Sequence, residues 1–163
     1  MDSRDRPLLV QETYPADLAP VWSRCSQLAA RMCLPSVFCG GEWLAACAAH
    51  GPAPERLRVF TVVEREAPGT IVGVLPLVLW DNALGGRDLH FLGAEFHPDP
   101  LGLVCAADRL GECVAALRQH LEHREDWDRL ILEHCGEPDA RAWGAPASVS
   151  SVAPYIALPP DFE

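Results

Sequence analysis

An α+β domain, bordering on α/β, is predicted by three features of the sequence. Apolar residues recur with a 3.6-residue period over residues 18–32 and 110–121, the mark of helices with one buried face. Two near-continuous apolar runs, residues 57–64 and 70–80, are separated by turn-forming residues and read as strands buried on both sides. The chain's 163 residues, 49% of them apolar, amount to one domain, spanning 1–163, with enough material for a core. The predicted order is βααββββαβ(α)β, a mixed, mostly antiparallel sheet with helices packed across it.

Leu8 to Thr13 is a short strand, after which Asp17 stands at the cap of a helix whose Leu18, Val21, Trp22, Cys25, Leu28, Ala29 and Met32 form one stripe. Pro20 falls in its first turn, where a missing N–H costs little, and Pro35 follows its end. A second helix, about Glu42 to His50, lies between Gly40-Gly41 and Gly51-Pro52, with Trp43, Leu44, Cys47 and Ala48 inward. Leu57 to Glu64 and Thr70 to Trp80 pair as an antiparallel hairpin through a turn at Ala67-Pro68-Gly69. Pro76 predicts a bulge or an edge position, because proline cannot donate to a ladder.

A hairpin turn at Gly85-Gly86 leads to a strand at Asp88 to Leu92, then to an irregular stretch, Gly93 to Pro100, and a strand at Leu101 to Cys105. Leu110, Cys113, Val114, Leu117 and Leu121 set the buried face of a helix reaching about Arg124. Trp127 to Glu133 is a strand, Pro138 to Trp143 a single helical turn, and Val152 to Leu158 a last strand. Trp22, Trp43 and Trp80 are read as core residues.

Thirteen cations against twenty-three acidic side chains leave a net charge of −10, which opposes nucleic acid and anionic membranes as partners. All the cations are arginine, so Schiff-base chemistry, a phosphate-loop lysine and a lysine base are excluded. No apolar run approaches the roughly 20 residues of a membrane span, and the charged start lacks a signal-peptide core; the expected location is cytoplasmic. Seven cysteines without a Cys-x-x-Cys, three of them on apolar stripes, read as reduced core thiols.

Several segments together resemble a known family. Ser36-Val-Phe-Cys-Gly-Gly-Glu-Trp-Leu44, Ile71-Val-Gly-Val-Leu-Pro-Leu-Val-Leu79, Leu89-His-Phe-Leu-Gly93 with Asp99-Pro-Leu-Gly102, Trp127-Asp-Arg-Leu-Ile-Leu132 and Ala153-Pro-Tyr-Ile-Ala-Leu158 carry the likeness. In order and spacing they are similar to the N-terminal half of GNAT-superfamily acyltransferases of the CelD type, FemAB-related proteins linked to cellulose and exopolysaccharide biosynthesis. The resemblance implies a GNAT-like fold, acetyl-CoA or another acyl-CoA as co-substrate of the complete enzyme, and a small amine or sugar acceptor. It also implies a second GNAT-like domain carrying the acyl-CoA site, or a homodimer imitating the tandem pair. A non-catalytic interaction module on the same fold is the alternative.

GNAT enzymes hold the diphosphate on a (Gln/Arg)-x-x-Gly-x-(Gly/Ala) loop opening a helix. The matching stretch here is Ala106 to Glu112, where Arg109 and Gly111 remain but Asp108 and Glu112 put carboxylates at the helix start. No cofactor-binding residue is therefore expected in this chain. Glu95, His97 and Asp99, in the irregular loop between two strands, are the candidate substrate-binding residues, able to orient an amine or hydroxyl or take its proton. His120 and His123 share a helix without a third inward ligand, and no metal site is expected. His134 and Cys135 are adjacent on a strand, so they point to opposite faces and make no nucleophile pair.

Overall fold

A computed structural model describes residues 7–98 and 100–144. Its sheet runs β1 (Leu8–Thr13), β2 (Leu57–Glu64), β3 (Ala67–Asp81), β4 (Arg87–Phe91), β6 (Arg129–Ile131), with the two-residue β5 (Val104–Cys105) also on β3. Every pairing is antiparallel except β4 with β6. The helices are α1 (Leu18–Ala29), α2 (Gly41–His50), α3 (Leu110–Leu121) and α4 (Glu137–Trp143). The α+β class and the mixed, mostly antiparallel sheet flanked by helices are as expected, and the predicted strand over 152–158 lies outside the described residues.

β3 is buried without a break from Val72 to Leu79, so elements cover both faces of the sheet at its centre. α3 crosses one face, bringing the Cys113 sulfur to 3.1 Å from where a Gly73 side chain would begin. α1 packs on β3, β5 and α2. The α1–α2 contact is close enough to demand glycine: a Cβ on Gly41 would stand 1.8 Å from the Trp22 carbonyl oxygen. The Gly41 amide donates to the Ser26 hydroxyl at 3.0 Å.

Several boundaries differ from expectation for identifiable reasons. The β2–β3 turn falls at Arg65-Glu66, with the Arg65 amide bonded to the Pro7 carbonyl, and Ala67-Pro68-Gly69 already belongs to β3. The register shifts lie there, between Val62 and Glu64 of β2, and not at Pro76. Pro76 pairs in register with Val59 on a central strand, and its carbonyl accepts from the Leu92 amide on the other side. On that side β3 changes partner, from β5 at Gly73–Val74 to β4 at Leu77–Asp81, so no ladder there requires the absent N–H.

Asp17 occupies the cap position of α1 but its side chain makes no cap bond, because a 3-10 turn over Pro15–Asp17 leads into the helix. The predicted 101–105 strand splits: Leu101 bridges Cys135 in parallel, and only Val104–Cys105 joins β3. α3 stops at Leu121, and the Arg124 side chain is drawn away to Glu12 and Asp126. Trp22 is buried, whereas Trp43 is half-buried and Trp80, at the end of β3, is 38% exposed.

The Gly85-Gly86 hairpin turn is pinned by Asn82, whose side-chain oxygen accepts from the Leu84 and Gly86 amides while Gly85 takes φ +82°. Asn82 also donates to Asp88, and Arg129 grips both oxygens of that carboxylate at 2.9 and 2.6 Å, tying β4 to β6.

Candidate functional site

The segment between β5 and α3 is built on a 3-10 turn, Ala107–Arg109, running into the helix. Arg109 is buried, and its guanidinium spans two carboxylates: Nε to Glu112 at 2.9 Å and Nη1 to Glu64 at 3.4 Å. Burial opposes its charge, but the Glu112 and Glu64 carboxylates outweigh that and raise its affinity for the proton. One nitrogen, Nη2, is buried without a hydrogen-bond partner among the described residues. Asp108 adds a second acid beside Glu112 at the same turn. Two carboxylates against one engaged guanidinium leave the turn itself net negative, which opposes an anion there. Above it, a Cβ on Gly111 would meet nothing within 4 Å.

A backbone donor is taken up as well. The Leu103 amide, in the gap between Leu101 and β5, donates to Oδ1 of Asp139 at 2.8 Å. Asp139 is 4% exposed, and a Cβ on Gly102 would come within 2.9 Å of its carboxylate. Burial raises its proton affinity, partly opposed by the Leu103 N–H. Sequence reasoning missed Asp139, because Pro138-Asp139 reads equally well as an ordinary helix start.

In the irregular loop, Gly93 (φ +87°) leads a 3-10 turn over Ala94–Phe96. A side chain at Gly93 would be strained by the positive φ and crowded, with a Cβ 3.0 Å from the Cys47 sulfur and 3.2 Å from the Trp43 indole nitrogen. Phe38, Trp43 and Phe96 stack edge to face beside this turn, with centroids 5.1 and 5.9 Å apart. Glu95 and His97 are both exposed. Glu95 faces the end of α2, its Oε1 3.4 Å from where a Gly51 Cβ would stand. His97 instead turns to His134, with Nδ1 and Nε2 3.4 Å apart. Asp99 lies outside the described residues.

The other candidates are not where the sequence places them: α3 ends at Leu121, so His123 lies beyond the helix, and His134 sits in a turn after β6 with φ 55° and not on a strand. His120 packs on Phe60, and burial together with the nearby Arg124 charge lowers its proton affinity. His123 bonds the Gln119 carbonyl through Nδ1 at 2.8 Å. While His134 faces His97, the Cys135 thiol is pushed up to about 12 by burial and the Asp139 charge. Burial likewise holds Cys25 and Cys39 at about 12 and Cys47 at about 11, levels that suppress the thiolate. Among the described residues no three His, Cys, Asp or Glu side chains converge as a metal-ligand set, and no helix is long and apolar enough to cross a membrane.

No family model and no curated protein matches the sequence. Solved structures do match. Glucosamine-6-phosphate N-acetyltransferase from Arabidopsis thaliana superposes with a TM-score of 0.51 at 12% identity, covering 92% of this chain and 99% of that one. Ribosomal-protein-alanine N-acetyltransferase from Brucella melitensis biovar Abortus 2308 gives 0.52 at 12% identity, covering 93% and 99%. An integron cassette protein from the mobile metagenome of V. cholerae gives 0.52 at 12% identity, covering 94% and 93%. Likeness at this identity concerns the backbone alone: the chain has the fold of the GNAT acetyltransferases.

Proposed function

We propose that this chain is the GNAT-like domain of an acyl-CoA-dependent N- or O-acyltransferase that requires a second domain or subunit to hold the acyl-CoA. The reading is carried by one observation: the buried Arg109, at the head of α3, is engaged by Glu64 and Glu112. In this reading the chain belongs to the CelD type, related to FemAB proteins, and serves cellulose or exopolysaccharide biosynthesis in the cytoplasm. A small amine or sugar acceptor meets the loop of Glu95, His97 and Asp99, where an imidazole or carboxylate orients the attacking group and accepts its proton. Acyl-CoA, held by the second domain, supplies the activated acyl group.

Calorimetry with acetyl-CoA, joined to an assay of acetyl transfer to amines and sugars, tests this. The chain alone should neither bind nor transfer, and the chain joined to its second GNAT-like domain should do both. Micromolar acetyl-CoA binding by the chain alone would overturn the division of labour. Loss of transfer in the joined protein would favour a non-catalytic interaction module, the reading that the carboxylates at Asp108 and Glu112 also suit.

A further inference from the structure

We propose that Cys33, Cys105 and Cys113 form a peroxide-responsive thiol relay whose product is a Cys105–Cys113 disulfide. The proposal is independent of the acyltransferase reading and rests on a glycine in the middle of a buried strand.

Gly73 lies on the central strand β3, between Val62 of β2 and Cys105 of β5, each its direct partner across the ladder. Direct partners project to the same face of the sheet, with Cβ atoms about 4.5–5.5 Å apart. On that face the Cys113 sulfur, carried by α3, stands 3.1 Å from where a Gly73 Cβ would begin, and Val62 closes the other side at 3.3 Å. The space left by the missing side chain is therefore where the Cys105 and Cys113 thiols meet, and both are buried. Glycine inside a strand marks such a close approach. A disulfide joins Cβ atoms roughly 3.5–4.5 Å apart, and Gly73 puts nothing between the two thiols to hold them from that separation.

Access comes through Cys33, which is exposed on the turn that follows α1. The Ala107 amide donates to the Arg31 carbonyl at 2.8 Å. Cys33 lies two residues beyond that carbonyl and Cys105 two residues before that amide, which makes them neighbours. The Cys33 charge is felt at Cys105, whose thiol is pushed up chiefly by the adjoining Cys113 and by burial. With its proton held so tightly, Cys105 is not oxidised directly from solution, and the reaction enters at Cys33.

The steps balance with one hydroperoxide. The Cys33 thiol is oxidised to the sulfenic acid, and the peroxide is reduced to an alcohol, or to water when it is hydrogen peroxide. The Cys105 sulfur displaces the hydroxyl, its thiol proton leaves with it as water, and a Cys33–Cys105 disulfide forms. The Cys113 sulfur then attacks Cys105 and breaks that bond; its proton passes to Cys33, which is restored as a thiol. An exposed thiol is thereby recovered while a buried bond ties α3 to β5.

Treatment of the reduced chain with equimolar hydrogen peroxide, followed by iodoacetamide and peptide mapping without reductant, tests the relay. The expected product is a monomer lighter by two hydrogens before alkylation, with Cys105 joined to Cys113 and Cys33 alkylated. Cys33→Ser should slow the cross-link about tenfold or more, and Cys113→Ala should stop at the Cys33–Cys105 disulfide. Cys105 and Cys113 both remaining alkylatable after denaturation, with Cys33 ending as a sulfinic acid or a Cys33–Cys33 dimer, would overturn the proposal. Cross-linking of Cys33→Ser at the parent's rate would do the same. If Cys113→Ala fails to fold by circular dichroism, a time course of the parent decides. The Cys33–Cys105 species rising and falling ahead of the final bond supports the relay, and its absence at every time point refutes it.

Discussion

Asp139 holds the Leu103 amide at 2.8 Å while 4% exposed, so a carboxylate from α4 provides the acceptor that a neighbouring strand would otherwise supply to this stretch of the sheet. Removing it should be costly. Asp139→Ala leaves a buried N–H without a partner and is expected to lose about 1–3 kcal/mol. Asp139→Asn keeps an acceptor oxygen and should lose less. The sign with pH follows from burial, which makes the folded chain hold this proton more tightly than the unfolded one. Its contribution is complete below the unfolded carboxylate value, about pH 4, and is lost as pH rises through the folded value. Urea melts of the parent and Asp139→Asn at pH 4 and pH 7 should therefore show the parent falling behind as pH rises.

Asp126 behaves in the opposite sense. The Arg124 hydrogen bonds draw it down from 3.8 to about 2, and Arg58 adds to them. A depressed value contributes stability above the unfolded value, lost as pH falls through about 2. Asp126→Asn should be destabilised at pH 7, and the gap from the parent should close as pH falls below 4 toward 2. Carboxylate chemical shifts followed over that range check the titration directly.

Gly41 and Gly111 should respond to alanine in opposite directions. At Gly41 the new Cβ would collide with the Trp22 carbonyl at 1.8 Å, forcing α1 and α2 apart. The expected loss is at least 1–3 kcal/mol, roughly the range for overpacking. At Gly111 nothing lies within 4 Å and the residue is helical, so alanine should stabilise by about 0.4–1 kcal/mol. Thermal melts of the two variants measure both.

Thiol labelling should be sharply selective. Cys33 is exposed, Cys135 is intermediate, and the other five cysteines are buried. Iodoacetamide on the native protein is expected to modify Cys33 alone, and all seven sites after denaturation. Rapid native modification of Cys39 or Cys47 would show that α2 opens readily.

The elements legible in the sequence are those whose own periodicity sets them, such as the stripe from Leu18 to Leu28 and the run from Val72 to Leu79. Boundaries set by distant partners were not legible. Pro76 suggests a bulge locally, yet the exchange of β5 for β4 beside it removes the need for one. Trp80 reads as core by hydropathy but stands where β3 runs out of the sheet. Glu95, His97 and Asp99 are legible as a polar loop between strands. What could not be read was that His97 would meet His134, because that contact depends on the parallel bridge between Leu101 and Cys135. Nothing in the local pattern around residue 134 signals a partner 37 positions earlier.

The parallel seam of β4 with β6 has a kinetic consequence. β2, β3 and β4 are joined by hairpins and can zip from neighbouring residues, but Asp88 and Arg129 are 41 positions apart and meet only after α3 has crossed the sheet. Closing so long a loop before any contact rewards it makes this edge, together with the still longer closure of Leu8 on Glu64 between β1 and β2, a slow step of assembly. On transient unfolding, these two edges would peel away first, leaving the β2–β3 hairpin as the last remnant of order.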